Sequence, residues 1–217
     1  KEISRFTGIS FIEASNHFEA QGTQDAAVET SGALKTVAVS LSKVANDIRW
    51  LGSGPRAGLG ELILPAVQPG SSIMPGKTNP VICEAMIQGC AQVIGNDMAI
   101  TIGGQGGVFE LNLMLPLIAH NLTNSITILS NSTNIFTEKL ITGLKANKEK
   151  CAGYIEGSLA MCTSLAPVIG YDKAAQIAYK AFNSGKTVRE IAMEDNVLDK
   201  DKLDEILDPK SMTMPSK

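Results

Sequence analysis

The sequence has few histidines, few aromatic residues and no excess of one charge. Two histidines and four cysteines occur among 217 residues, and no two cysteines form a C-x-x-C pair. This small number of ligands argues against a zinc site, and we expect no metal centre. The 19 basic residues face 22 acidic ones without a strongly basic stretch, which argues against a nucleic-acid partner.

The cysteines and the apolar segments indicate a protein of a reducing compartment with no membrane span. Cys83 and Cys90 lie in apolar helical sequence, so we interpret the cysteines as core thiols. The long uncharged run over 111–137 contains many asparagines and serines, which a bilayer would disfavour. No signal-peptide pattern opens the chain at Lys1, and we expect a processed chain or a piece of a longer one.

Three long helices are predicted in the first two thirds of the chain. Apolar residues recur every three or four positions up to Leu51, which predicts a helix over 26–51. The segment 81–102 is apolar on nearly every face, and a third helix is predicted over 111–144. Before them, residues 1–25 are predicted to be irregular with a short helical turn.

Two boundary signals refine these helices. Asn79 followed by Pro80 predicts the start of the second helix, with Asn79 as its cap. Pro116 is predicted near the beginning of the third helix, where proline is tolerated.

Two of the three helices lack a charged face, and one chain of this length cannot cover them. We therefore expect these helices to pack against copies of the chain.

After about residue 145 the predicted helices become shorter and more charged. They are predicted over 147–157, 158–166, 172–183, 187–195 and 200–207. We found no convincing sheet in the sequence. The fold class is therefore predicted as all-α, with a long-helix bundle over 1–145 and a small helical C-terminal domain over 146–217.

The loop over 70–79 reads Gly-Ser-Ser-Ile-Met-Pro-Gly-Lys-Thr-Asn and is the best candidate for chemistry. It is not a phosphate-binding P-loop, because five residues separate Gly70 from Gly76 and Pro75 removes an amide. Two hydroxyls, a lysine and a helix start would attract a small carboxylate. The alternative is a surface loop that only caps a helix, and the loop alone leaves both open.

Glu84 is an unexpected charge in an apolar helix. Between Lys77 and Glu110 the charged residues are Glu84 and Asp97. A carboxylate in such a helix needs a partner, because unpaired burial is costly. Glu84 is therefore either half of a structural ion pair or a group that orients an active-site histidine.

The run over 70–79 resembles GSSxMPxKxN, the signature loop of the fumarase/aspartase superfamily. The segments that resemble class II fumarate hydratases are 46–49, 52–56, 58–62, 107–112 and 169–175. The resemblance covers essentially the whole chain and corresponds to the C-terminal portion of that family's chain.

The resemblance implies reversible hydration of fumarate to L-malate, a reaction of the tricarboxylic acid cycle, without metal, iron–sulfur cluster or other cofactor. It implies that Ser71 is the base that removes a proton from carbon 3 of malate and that Glu84 pairs with a histidine. The residues implied to bind the substrate carboxylate are Ser72, Lys77, Thr78 and Asn79. The implied location is the cytoplasm or the mitochondrial matrix.

The family builds each active site from three segments on three subunits of a homotetramer. Two of these segments, including a Thr-His pair, have no counterpart here, and His17 and His120 lie in other contexts. We therefore expect the chain to be inactive alone and to need the N-terminal portion of the same enzyme. The alternatives are an aspartate ammonia-lyase of the same superfamily and a noncatalytic assembly fragment or subunit.

Overall fold

The computed structural model describes residues 1–213 and shows an all-α architecture. The chain divides into two compact units, Lys1–Lys145 and a second unit that begins at Ala146. The helices of the first unit are α1 (Glu2–Thr7), α2 (His17–Gly22), α3 (Asp25–Leu51), α4 (Val81–Gln105) and α5 (Leu115–Lys139). Short strands lie at β1 (Leu62–Ile63), β2 (Gly107–Val108), β3 (Leu111–Asn112) and β4 (Lys145–Ala146).

The three predicted long helices are present, with both ends of the third corrected. It was predicted to run to 144, but it ends at Lys139 and a 3₁₀ turn at Ile141–Gly143 follows. Helices α3 and α4 lie where the apolar pattern placed them. The third helix was predicted from 111, but α5 begins at Leu115, because β2 and β3 form an antiparallel hairpin just before it. Pro116 lies in the first turn of α5, as predicted. The segment before α3 contains two short helices rather than a single turn.

Helices α3 and α4 are antiparallel, and buried polar contacts fix their register. Ser31 and Lys35 both donate to the Asp97 carboxylate, at 2.8 and 2.6 Å. Further along, burial raises the pKa of the Cys90 thiol, while the backbone of Ser42 lies close enough to lower this pKa. Asp97 is only 5% exposed, so its two donors offset the cost of burying the charge.

Helix α5 packs on α4 through small and polar residues. Asn96 Nδ2 donates to Ser125 Oγ at 3.0 Å in the bundle interior. A Cβ atom on Gly103 would lie 2.8 Å from the Ile118 side chain, so the helices approach closely there. The buried core of the first unit consists of Ala38, Ala45, Ile48, Cys83, Met86, Cys90, Val93, Leu129, Phe136 and Leu140.

The long helices leave apolar side chains uncovered. Ile94, Met98 and Ile102 follow one another at helical spacing on α4, and Met98 is 61% exposed. Ile126 and Ile135 on α5 are also half exposed. None of the helices within residues 1–213 is long and apolar enough to cross a lipid bilayer.

The second unit consists of short helices. Its helices are α6 (Lys148–Glu156), α7 (Cys162–Ile169), α8 (Tyr171–Ser184), α9 (Val188–Glu194) and α10 (Lys200–Ile206). One helix was predicted over 158–166, but a 3₁₀ turn at Leu159–Met161 precedes α7. A capping box of Thr187 and Glu190 begins α9. The core consists of Met161, Cys162, Leu165, Ala174, Ile177, Ala181, Val188, Ile191, Ala192, Leu203 and Leu207.

Candidate active site

The loop over 70–79 is closed on itself by hydrogen bonds between its two ends. The Gly70 amide donates to the Lys77 carbonyl at 2.7 Å, and Asn79 Nδ2 donates to the Gly70 carbonyl at 3.0 Å. A Cβ atom on Gly70 would lie 2.8 Å from the Asn79 amide nitrogen and 2.9 Å from the Lys77 oxygen. Glycine at position 70 therefore allows the two ends of the loop to touch.

A tight turn brings Lys77 back toward the start of the loop. The Lys77 amide donates to the Met74 carbonyl at 3.3 Å, and Gly76 has a φ of 77°. Proline followed by a left-handed glycine is typical of a type II turn. The Pro75-Gly76 pair thus has a local structural role, and its geometry differs from a phosphate cradle.

Ser71 Oγ accepts two backbone hydrogen bonds. The Ile73 amide lies 3.3 Å from this oxygen, and the Met74 amide lies 3.2 Å from it. Such a turn is a common local use of serine. Two donors aimed at one hydroxyl oxygen also stabilise negative charge on it, because they favour the ionised form.

The other predicted substrate-binding residues line the same loop. Ser72, Lys77 and Thr78 are exposed, and Asn79 is half-buried. The prediction that Asn79 caps α4 is wrong, because Pro80 occupies the cap position and no side chain caps the helix. The Asn79 amide instead holds the loop closed through the Gly70 carbonyl.

Glu84 lies in the first turn of α4, just beyond the loop. Its amide donates to the Pro80 carbonyl at 3.1 Å, and its side chain is half-buried. Within residues 1–213 no salt bridge to Glu84 is formed, so the structural ion pair is not found in the described chain. A negative charge in a first turn is favoured by the helix dipole.

The two histidines lie outside this loop. His17 Nε2 contacts Glu13 at 3.1 Å near the N-terminus, and its side chain is 65% exposed. His120 is an exposed residue of α5. Both placements agree with the prediction that they are surface or packing residues.

Arg49 is a residue of this region to which the sequence analysis gave no role. It lies in the last turn of α3, and its Nε is buried without an acceptor among residues 1–213. The positive charge of Arg49 also acts on the Cys83 thiol at the start of α4. Burial raises the pKa of the Cys83 thiol to about 11, while Arg49 lowers this pKa and Glu84 raises it. Cys83 is therefore a neutral thiol at physiological pH.

Comparisons with known proteins agree with the family that the loop over 70–79 indicates. Residues 1–95 match a family model described as lyase, and residues 161–214 match one described as the fumarase C C-terminus. Fumarate hydratase class II 2 of Pseudomonas aeruginosa is 49% identical over 98% of this chain and 46% of its own length. The human mitochondrial fumarate hydratase is 50% identical over 99% of this chain and 42% of its own length.

Solved structures show the same architecture. A class II fumarase from Schistosoma mansoni matches with a TM-score of 0.88 and 42% identity, over 95% of this chain and 43% of that one. A fumarate lyase:delta crystallin from Brucella melitensis, bound to cobalt, matches with a TM-score of 0.91 and 47% identity, over 99% of this chain and 46% of that one. The chain thus spans less than half the length of these relatives. With this fold, loop and identity, it belongs to the class II fumarases of the fumarase/aspartase superfamily.

Proposed function

We propose that the full-length protein carrying this chain is a fumarate hydratase that interconverts fumarate and L-malate. The observation that carries the proposal is the closed loop in which two backbone amides point at Ser71 Oγ. The relatives named fumarate hydratase have 49% and 50% sequence identity to this chain, and they support the same reaction. Relatives named mitochondrial support the mitochondrial matrix as one location, with the cytoplasm as the other.

Ser71 is proposed as the base. A serine alkoxide takes a proton from carbon 3 of malate, and the electron pair of the broken C–H bond moves into the adjacent carboxylate to form an enediolate. A serine hydroxyl is a poor base at neutral pH, so its alkoxide needs stabilisation. The Ile73 and Met74 amides supply part of it at 3.3 and 3.2 Å, and the Lys77 charge supplies more.

The enediolate carries two negative charges on one former carboxylate. We propose that Lys77, Ser72, Thr78 and Asn79 bind this group. Their hydroxyl, amide and ammonium groups are donors that gain strength as charge develops in the transition state. Lys77 and Ser72 are exposed in the described chain, so another segment has to exclude water from the site.

The carbon–oxygen bond of malate then breaks, and the leaving hydroxide takes up a proton. We propose that a histidine from another segment supplies this proton and that Glu84 orients and charges it. Glu84 is suited to this role because it is half-buried beside the loop and forms no ion pair within residues 1–213.

The proposed assembly is a homotetramer whose active sites are shared between subunits and include the N-terminal portion of the same enzyme. The uncovered stripe of Ile94, Met98 and Ile102 on α4 supports this proposal. Exposed apolar stripes on long helices are typical of surfaces that pack in a larger bundle.

A substrate comparison tests the proposed reaction. We expect the purified full-length protein to convert L-malate to fumarate, followed by the ultraviolet absorbance of fumarate, and to release no ammonia from L-aspartate. Both substrates would give fumarate, so an ammonia assay on the same samples identifies the leaving group. Turnover of aspartate alone would replace fumarate hydratase by the ammonia-lyase alternative.

Replacing Gly70 with alanine tests the closed loop. The new Cβ would meet backbone atoms of residues 77 and 79 at 2.8 to 2.9 Å, so the loop ends have to separate. We expect kcat for malate to fall about 10- to 100-fold, because small displacements of catalytic groups have effects of this size. Gly153→Ala on α6 is the control, since its Cβ meets nothing within 4 Å. Equal kcat values for the two variants would show that loop closure is dispensable.

A further inference from the structure

Arg49 has a buried hydrogen-bond donor that no described residue satisfies. Its Nη2 donates to Asn46 Oδ1 at 2.8 Å, and its guanidinium carbon lies 5.8 Å from the centre of the Trp50 ring. These two contacts fix the guanidinium group at the end of α3. Its Nε is buried and has no acceptor within residues 1–213. Buried donors are satisfied in nearly all native proteins, so an acceptor is expected close by.

The register of the α3–α4 pair places the first turn of α4 opposite Arg49. Asp97 contacts Ser31 and Lys35 near the other end of the helix pair. Because the two helices are antiparallel, each later residue of α3 lies opposite an earlier residue of α4. Counting from these two pairs places Arg49 opposite residues 79–83, at the start of α4. Glu84 is the acidic residue of that first turn. Helical side chains lean toward the helix N-terminus, which directs the Glu84 carboxylate toward the end of α3.

The charges of Arg49 and Glu84 both act on the buried thiol of Cys83. Cys83 is fully buried, and its thiol experiences the positive charge of Arg49 and the negative charge of Glu84 together. Electrostatic effects on one atom from both groups require that both lie within a short distance of it. Arg49, which has an unused donor, and Glu84, which has no ion pair within residues 1–213, therefore both lie near Cys83.

We propose that Arg49 is a positioning residue whose Nε–H donates to one oxygen of the Glu84 carboxylate. Such a contact satisfies the buried donor. The second carboxylate oxygen is then left to face the active-site histidine. This role rests on the proposed function, in which Glu84 orients that histidine. A charge-assisted hydrogen bond of this kind fixes the direction of a carboxylate more strongly than a neutral one.

A double-mutant cycle in the full-length protein tests the pair. Arg49→Gln and Glu84→Gln are each expected to lower kcat for malate with little change in KM, because neither residue is proposed to bind the substrate. In the double variant we expect the loss in kcat to be about tenfold smaller than the product of the two single losses. Losses that multiply fully would show that Arg49 and Glu84 act independently and would overturn the proposal.

A second readout does not depend on the reaction. The same four proteins are compared by thermal unfolding, where the pair predicts midpoint shifts of the single variants that do not add in the double variant. Lys43→Gln is the control, because Lys43 lies on α3, is exposed and pairs with Asp47. Its combination with Glu84→Gln is expected to be additive. If the protein lacks hydratase activity, non-additive midpoints still support the pair, and additive midpoints reject it.

Discussion

Replacing Ser71 with alanine in the full-length protein is expected to lower kcat for malate by about 10²- to 10⁴-fold, the usual contribution of a general base. KM is expected to change little, because Lys77, Ser72, Thr78 and Asn79 are proposed to hold the substrate carboxylate. The substitution removes the acceptor of the Ile73 and Met74 amides, but the loop remains closed. Its closure depends on the Gly70 amide and carbonyl and on the Asn79 side chain, none of which the substitution removes.

Ser184→Ala is a matched control for this substitution. Ser184 lies on α8, its hydroxyl donates to the Lys180 carbonyl at 2.7 Å, and it has no role in the proposed mechanism. Steady-state kinetics of both variants separate kcat from KM. A Ser71→Ala protein with a normal kcat would remove Ser71 from the mechanism, whereas a raised KM with a normal kcat would move it to the substrate-binding group.

The second large effect concerns the 217-residue chain by itself. We expect the purified chain to have no measurable hydratase activity and to become active when it is produced together with the N-terminal portion of the same enzyme. The physical reason lies in the site. Ser72, Lys77 and Thr78 are exposed, and no salt bridge holds Glu84 within residues 1–213. Water would therefore compete with the substrate and weaken every electrostatic interaction there.

Circular dichroism is the control for this experiment, because an inactive chain is informative only when its helices are formed. Size-exclusion chromatography of the combined portions measures assembly, and the malate assay measures activity. Turnover by the chain alone would contradict the shared-site proposal. A fully assembled but inactive complex would instead favour the noncatalytic alternative.

Individual residues show which parts of the fold the sequence predicted. The spacing of apolar residues predicted α3 and α4, because an amphipathic or fully apolar helix has to bury those side chains. The same reasoning overextended the third helix to 111, since the hairpin at Gly107–Val108 and Leu111–Asn112 is stabilised by tertiary contacts that periodicity does not record. Asn112, for example, donates to the Gly103 carbonyl at 3.0 Å from a buried position.

The loop gives a similar contrast. Asn79 before a proline has the sequence pattern of a helix cap, and only the folded loop shows that its amide donates across to Gly70. Arg49 received no role from sequence, because an arginine at a helix end is ordinary until its Nε is found buried without an acceptor. Burial and partner choice depend on residues far apart in the chain, so local patterns do not predict them.

The sequence by itself determined the helical fold class, the family and the chemical groups of the candidate site, because these depend on residue types and their spacing. Tertiary structure decided which atoms meet. It closed the loop at Gly70 and placed the end of α3 beside the first turn of α4. The amides at Ser71 belong to a local turn of the loop, whereas the pairing of α3 with α4 comes from helix packing, which local sequence does not specify.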